Sequence, residues 1–387
     1  MRPVRPGESA VRRSILPVHF RPQTGRHRGE GPPPGAPTPA GMRIAIVTDA
    51  WKPQVNSVVT TLSETARCLT AAGHIVQLFT PLDFLRVPCP IYPEIRLSLL
   101  PGWRLARMLG QFAPQRVHIA TEGPLGIAAR RHCVSRRMPF TTSYHMQFPQ
   151  YVRARLPIPT SWSYAFLRWF HGPALRTLVA TESMRRDLLD HGFGHVSVWS
   201  CGVDTDLFRP HDKNYLREER PILMYAGRVA VERDLEAFLE LDTPGTKYVV
   251  GDGPALPALR RRYPHVVYAG YRFGDELAWH LAAADVFVFP SRTDTFGLVM
   301  LEALACGVPV AAYPVPGPID LIEPGVTGAL ADDLGAAIRA ALALDPAPCR
   351  AMALRRSWEA ASRQFLEHLA RVDGARTPPH SRILPST

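Results

Sequence analysis

Apolar runs of strand length alternate with amphipathic, helix-length segments along nearly all of residues 42–345, and that alternation limits the fold more than any other feature. Met42-Arg43-Ile44-Ala45-Ile46-Val47-Thr48-Asp49 reads as a buried strand, Val58 to Ala72 as a helix stopped by Gly73-His74, and Ile75-Val76-Gln77-Leu78-Phe79 as the next strand. The unit repeats with Val117-His118-Ile119-Ala120, a helix from Leu125 to Arg136, and Phe140-Thr141-Thr142-Ser143-Tyr144, then continues to Val196-Ser197-Val198. A second series opens at Ile222-Leu223-Met224-Tyr225-Ala226-Gly227 and runs through Lys247–Val250, Val266–Ala269, Val286–Phe289 and Val308–Ala312. Strands without polar alternation belong to parallel sheets covered on both faces. The expected fold class is therefore α/β: two Rossmann-like doubly wound domains, 42–205 and 206–345, facing a cleft at the strand carboxyl ends. Ser357 to Leu366 reads as a further amphipathic helix, which either caps the second domain or crosses back to the first.

The remaining segments add little chemistry. Residues 1–41 carry nine Pro and seven Arg against two Glu, with no apolar core segment, which argues against a secretory signal and for a disordered extension. They account for +5 of the net charge of +11, so the folded part is only modestly basic. That balance suits an anionic nucleotide or a negatively charged membrane face, and no basic motif with interleaved aromatics points to nucleic acid. The tail from 373 to 387 is polar and expected to be disordered. No apolar run reaches the ~18 residues a membrane span needs. Cys68, Cys89, Cys133, Cys201, Cys306 and Cys349 show no metal-ligand spacing and read as reduced thiols of a cytoplasmic protein.

The chemistry concentrates at the strand carboxyl ends. Asp294 and Glu302 flank Phe296-Gly297-Leu298 between an apolar strand and an apolar helix. A helix beginning near Phe296 would aim free N–H groups at the loop, and Glu302 would lie roughly 7 Å along its axis. One carboxylate can then meet a sugar and the other a ribose, with a diphosphate between; alone, the pair is as well explained by a loop acid and a surface helix Glu. Gly227-Arg228 closes the first strand of the second series and Arg233 follows, giving two guanidinium groups for a diphosphate. Gly251-Asp252-Gly253-Pro254 lacks the third glycine of a dinucleotide fingerprint and reads instead as a tight turn brushing the nucleotide. His145 stands at the cleft end of Phe140–Tyr144, where a structural hydrogen bond competes with a role at the sugar. Asp49, Asn56 and Ser57 gather at the end of the first strand, where helix capping competes with phosphate binding. Asp204-Thr205-Asp206 has the spacing of a metal signature but sits in the interdomain turn, so no metal is expected. Trp162, Tyr164, Phe166, Trp169 and Phe170, with Arg153, Arg155 and Arg168 nearby, fit core packing better than a lipid-facing surface.

Residues 42 to about 372 resemble glycosyltransferase family 4, retaining and metal-independent enzymes of the GT-B fold. Within it they look most like GDP-mannose-dependent alpha-mannosyltransferases acting on glycolipids. The resemblance rests on Asp49-Ala50-Trp51-Lys52-Pro53-Gln54-Val55-Asn56, Ser143-Tyr144-His145-Met146-Gln147-Phe148-Pro149, Gly202-Val203-Asp204, Gly227-Arg228-Val229-Ala230-Val231-Glu232, and Ser291 through Leu298. It implies that Arg228 and Arg233 bind the diphosphate, that Asp294 and the backbone around Phe296 hold the sugar, that Glu302 holds the ribose and that His145 contacts the donor sugar. It also implies that the segment 346–372 crosses back to the first domain. Arg233 stands where the family usually has Lys, Asp294 where Glu is more common, and Ser57 where Gly is frequent. The implied partners are GDP-mannose and a lipid or glycolipid acceptor at the inner membrane face, with no cofactor. The alternatives are a UDP-sugar-dependent, sulfolipid-type transferase and a nucleotide-sugar-binding protein that has lost transfer.

Overall fold

The computed structural model describes residues 41–52, 54, 56–88, 96–145, 159–292 and 296–370. The segments 1–40 and 371–387 and the position of Asp294 lie outside the described residues.

The first half is one parallel sheet made of β1 (Arg43–Val47), β2 (Ile75–Phe79), β5 (Arg116–Ile119), β6 (Phe140–Tyr144), β7 (Arg176–Val179) and β8 (Val196–Val198), in the order β2-β1-β5-β6-β7-β8. A separate antiparallel pair, β3 (Arg86–Pro88) with β4 (Arg96–Ser98), interrupts the alternation after β2. The helices between strands are α1 (Ser57–Ala71), α2 (Gly102–Phe112), α3 (Pro124–Ser135), α4 (Thr160–His171) and α5 (Glu182–Asp190). Ala45, Val47 and Ile119 pack on one face with Leu105 and Leu125, while Ile44 and Ile46 pack on the other with Leu62 and Leu69. The strands are apolar on both faces because both faces are covered.

The second sheet holds β9 (Ile222–Ala226), β10 (Thr246–Val250), β11 (Val267–Gly270), β12 (Val286–Phe289), β13 (Val310–Ala312) and β14 (Gly328–Leu330), in the order β11-β10-β9-β12-β13-β14. Its helices are α6 (Leu235–Leu239), α7 (Leu256–Arg262), α8 (Gly274–Ala283), α9 (Leu298–Ala305), α10 (Pro318–Leu321) and α11 (Leu334–Leu342). Strand order reverses between β1 and β5 in the first sheet and between β9 and β12 in the second. At such a reversal the helices on either side diverge and leave a crevice beyond the strand carboxyl ends. A contact beyond the strand carboxyl ends joins the two halves. Asp320, in α10 beyond β13, accepts hydrogen bonds from the backbone N–H (2.9 Å) and the hydroxyl of Ser183, in the first turn of α5 just beyond β7.

The segment 346–372, read from sequence as one crossing helix, contains two helices with different attachments. α12 (Ala347–Leu354) stays with the second domain, where Cys349, Met352 and Ala353 pack in the same cluster as Leu301 and Leu304 of α9. α13 (Trp358–Ala370) is the part that returns to the first domain. The break falls where Ser357 bridges Val203 in the outgoing connection, so both chain crossings run side by side. The hydrogen bonds that hold α13 in place include Trp199 Nε1 to the Ala361 carbonyl (3.2 Å), Ser200 N to Gln364 Oε1 (3.0 Å), Arg116 Nε to the Leu369 carbonyl (3.1 Å), and His368 Nε2 with the Val198 carbonyl (2.8 Å). Phe365 is fully buried between the rings of Trp199, at 4.7 Å, and His118, at 4.9 Å. Truncating Phe365→Ala should cost ~3–5 kcal/mol in urea unfolding, the usual loss for a buried aromatic ring; a cost below ~1 kcal/mol would show that α13 is not a structural clasp.

Candidate active site

At the first crevice Asp49 is a buried cap. Its carboxylate accepts from Leu125 N (2.8 Å), Gly126 N (3.2 Å) and the Thr121 hydroxyl (2.9 Å), satisfying the exposed first turn of α3 from 76 residues away in sequence. Burial pushes its pKa up from 3.8 to about 6 against those three bonds, which favour the ionised form. Asn56 caps α1 through Val59 N at 3.0 Å and is exposed, as is Ser57, the first helical residue. The 15-residue α1 therefore presents its N-terminus beside Asp49, a position suited to an anionic group.

His145 belongs to a buried polar chain. Thr141 Oγ1 lies 2.9 Å from His118 Nδ1, His118 Nε2 lies 3.1 Å from Ser143 Oγ, and Ser143 Oγ lies 2.8 Å from His145 Nε2. Desolvation lowers the pKa of His118 to about 3 and of His145 to about 4, so both rings are neutral at physiological pH. The Ser143 hydroxyl also reaches the Ala120 carbonyl at 3.4 Å, so its oxygen can accept from both rings while its proton goes to that carbonyl. The edge of Trp199 backs both rings, at 5.9 Å and 6.0 Å. Beside them, Glu122 Oε1 lies 3.3 Å from Nε2 of buried His171, whose Nδ1 is 2.8 Å from Thr142 Oγ1.

The second crevice gathers cations and an unpaired acid. Arg228 follows β9, and its carbonyl accepts from the Tyr225 hydroxyl at 2.8 Å. Arg233 ends a short 3-10 turn, with Nη1 3.5 Å from Ser291 Oγ at the carboxyl end of β12. Arg292, which sequence reasoning missed, completes the set: its guanidinium lies 3.4 Å over the Tyr313 ring, and its Nε is 3.8 Å from Asp234. Only its place one residue before the anticipated loop could have signalled it. Gly227 and Gly251 interlock the β9 and β10 loops. Gly251 has φ +133°, and a Cβ there would fall 1.9 Å from the Gly227 carbonyl oxygen. Gly253 continues that turn, its N–H bonded to Asp252 Oδ1 at 2.6 Å. The Gly251–Gly253 turn is thus required by loop-on-loop packing.

α9 begins at Leu298, two residues later than the sequence suggested. Gly297 takes the left-handed conformation (φ +74°) as its N-cap, where any Cβ would come within 2.6 Å of Met300 Cε. Phe296 is buried before it, so the open N–H groups are those of Leu298 and Val299, Met300 N being bonded to the Gly297 carbonyl. Glu302 is consequently the fifth helical residue. It has no hydrogen-bond or ion-pair partner among the described residues, and burial raises its pKa from 4.5 to about 7. Asp294, expected to oppose it, lies outside the described residues. Asp204 is a turn residue, its Oδ1 accepting from Asp206 N and Leu207 N at 3.0 Å each. Tyr164 and Phe170 of the aromatic run are buried, while Trp162 and Trp169 are exposed.

Two opposed Rossmann-like sheets, with cations and a helix N-terminus at one switch point and a histidine at the other, define the GT-B class of glycosyltransferase. Residues 58–207 match the family described as Glycosyltransferase Family 4, and residues 220–344 match Glycosyl transferases group 1. The chain is 30% identical over 377 residues, covering 87% of it and 98% of the relative, to a GDP-mannose-dependent alpha-mannosyltransferase of Mycobacterium tuberculosis. It is 31% identical to a sulfoquinovosyl transferase of Arabidopsis thaliana, over 63% of this chain and 52% of that one. Among solved structures, the sucrose-phosphate synthase of Thermosynechococcus elongatus superposes with a TM-score of 0.68 at 22% identity, covering 87% of this chain and 100% of that one. The chain belongs to glycosyltransferase family 4. It is a glycosyltransferase, and it is also 26% identical to an alpha-monoglucosyldiacylglycerol synthase of Streptococcus pneumoniae, over 79% of this chain and 79% of that one.

Glu302 supplies a direct test of the second crevice. Its folded pKa is raised, so its favourable contribution is complete below pH 4.5 and is lost as pH rises toward 7. Glu302→Gln should therefore melt at a higher temperature than the native protein at pH 8 and close to it at pH 4.5, a difference on the order of 2 kcal/mol. A pH-independent offset would mean that the carboxylate already has a partner.

Proposed function

We propose that this protein transfers mannose from GDP-mannose to a membrane glycolipid, with retention of configuration and without a metal. The observation that carries the reading is Glu302: a half-buried carboxylate without a partner among the described residues, set into α9 beside the strand ends that carry Arg228, Arg233 and Arg292. A half-buried acid is partly desolvated, and a ligand that supplies hydroxyl donors would offset that cost. In this reading Glu302 accepts from the ribose, Arg228 and Arg233 hold the diphosphate with the N–H groups of Leu298 and Val299, and Asp294 and the Phe296–Gly297 backbone hold the sugar. Neutral His145 contacts the donor sugar from the opposite sheet, and Asn56 and Ser57 line the phosphate side of the first crevice.

No carboxylate is assigned as nucleophile. The leaving phosphate takes the acceptor proton on the face from which it departs, and the protein's contribution is to stabilise the charge developing on the diphosphate. Guanidinium groups held by the strand ends and a helix N-terminus offer fixed dipoles and charge, which lowers the reorganisation that bond cleavage needs. Similarity to the mycobacterial GDP-mannose enzyme over 98% of its length supports the donor. Similarity to the sulfoquinovosyl transferase supports a sulfolipid-type transferase as the second reading, for which the donor would be a UDP-sugar.

Radiolabelled GDP-mannose and UDP-sugars offered with a membrane-lipid extract distinguish these. Labelled lipid from GDP-mannose, suppressed by free GDP and not by UDP, is the expected result; the reverse pattern establishes the second reading, and nucleotide-sugar binding without any labelled lipid establishes a transfer-deficient binding protein. Arg228→Ala should lower turnover by about two to three orders of magnitude, the usual loss for a group that meets transition-state charge, while Glu302→Ala should act mainly on nucleotide affinity.

A further inference from the structure

A second surface, far along the sequence from the anticipated aromatic run, combines exposed apolar side chains with arginines. Thr80 caps a 3-10 turn over Pro81–Asp83, which leads through Leu85 into β3. Leu99 N bonds to the Leu85 carbonyl at 2.8 Å, extending the β3–β4 ladder and placing these two leucines opposite each other. Leu100 follows, then Trp103 in the first turn of α2. The guanidinium of Arg104 lies 5.8 Å over the Phe84 ring, which draws the start of α2 against the turn beside Leu85. The result is one apolar cap in which Leu85 is 77%, Leu100 88% and Trp103 76% exposed.

Two features separate this cap from scattered surface leucines. Leu100 has φ +45°, a left-handed conformation that costs a β-carbon-bearing residue and that holds its side chain outward. Arg86, Arg96, Arg104 and Arg107, all exposed, surround it, while the one acid among the described residues of 80–112, Asp83, is consumed in the Thr80 capping box. Apolar tips ringed by one sign of charge match an anionic bilayer, whose headgroups meet the arginines while the tips enter the acyl boundary. The cap grows from the carboxyl end of β2, the edge of the first sheet that also carries Asp49 and His145. A lipid rising from the bilayer would meet that edge first. α4 carries a competing pair, Trp162 and Trp169, but the Trp169 ring lies under Arg130 at 4.0 Å, closer than Arg107 approaches the Trp103 ring at 5.9 Å.

We propose that this cap is the membrane-docking surface of the protein, inserting Leu85, Leu100 and Trp103 into anionic lipid. The proposal rests on a lipid acceptor, but its test does not use transfer. Co-sedimentation with phosphatidylglycerol and with phosphatidylcholine vesicles is measured for the native protein and three variants. The cap variant is Leu85→Ser with Leu100→Gly and Trp103→Ser, the glycine being free to adopt the left-handed backbone. The charge variant replaces Arg86, Arg96, Arg104 and Arg107 by Gln, and the comparison variant is Trp162→Ser with Trp169→Ser.

The native protein should bind phosphatidylglycerol vesicles and not phosphatidylcholine, and the cap and charge variants should each weaken binding by about tenfold or more. The comparison variant should bind as the native protein does. Retained GDP binding in the cap variant separates lost docking from lost folding. The proposal is overturned if the native protein ignores anionic vesicles, which would leave the cap as a protein contact, or if only the Trp162/Trp169 variant loses binding. Vesicle binding without any labelled lipid in the donor assay would instead count against the proposed acceptor and leave the docking surface standing.

Discussion

The reversal of strand order between β9 and β12 is the constraint on which the candidate site depends. Parallel strands send every connection over one face or the other, and where the winding changes direction the covering helices part. The parting leaves the ends of β9 and β12 uncovered, and the chain places Arg228 on one, Ser291 and Arg292 on the other, and the N-terminus of α9 between them. The same rule, applied to the first sheet, uncovers Asp49 and the start of α3 next to β6 and His145. The Ser183–Asp320 contact joins the two halves beyond the strand carboxyl ends, and α13 fastens the halves from behind.

Two acids, Asp49 buried and Glu302 half-buried, show how differently one residue class is used at these edges. Asp49 is saturated by three donors and is consumed by architecture, closing the first turn of α3. Glu302 accepts nothing from the described residues, and like Asp49 it is raised above its ordinary pKa by burial. Burial raises both, but only Asp49 has hydrogen bonds pulling the other way. An acid with compensation is structural; an acid without it awaits a ligand.

Much of this was legible in the sequence because strands buried on both faces leave an unbroken apolar signature. Ile75–Phe79, Phe140–Tyr144, Val196–Val198 and Val286–Phe289 fall where the apolar runs placed them. The β3–β4 pair was not legible: Arg86-Val87-Pro88 carries no period, and its pairing depends on the turn at Pro81–Asp83. Gly328-Ala329-Leu330 is likewise too short and featureless to announce β14, which exists because β13 offers it an edge. At the site, the residue types were legible and their partners were not. Capping of α3 by Asp49 and the Thr141–His118–Ser143–His145 chain are contacts between separate strand ends, which only the assembled sheet brings together.

The central claim is that the β9/β12 switch point holds a nucleoside diphosphate. A crystal structure with GDP tests it most directly. The account predicts the diphosphate against the Gly227–Arg228 loop and the N–H groups of Leu298 and Val299, with the ribose hydroxyls on Glu302. Nucleotide found instead at the first sheet's crevice, with Glu302 still unpaired, would contradict it.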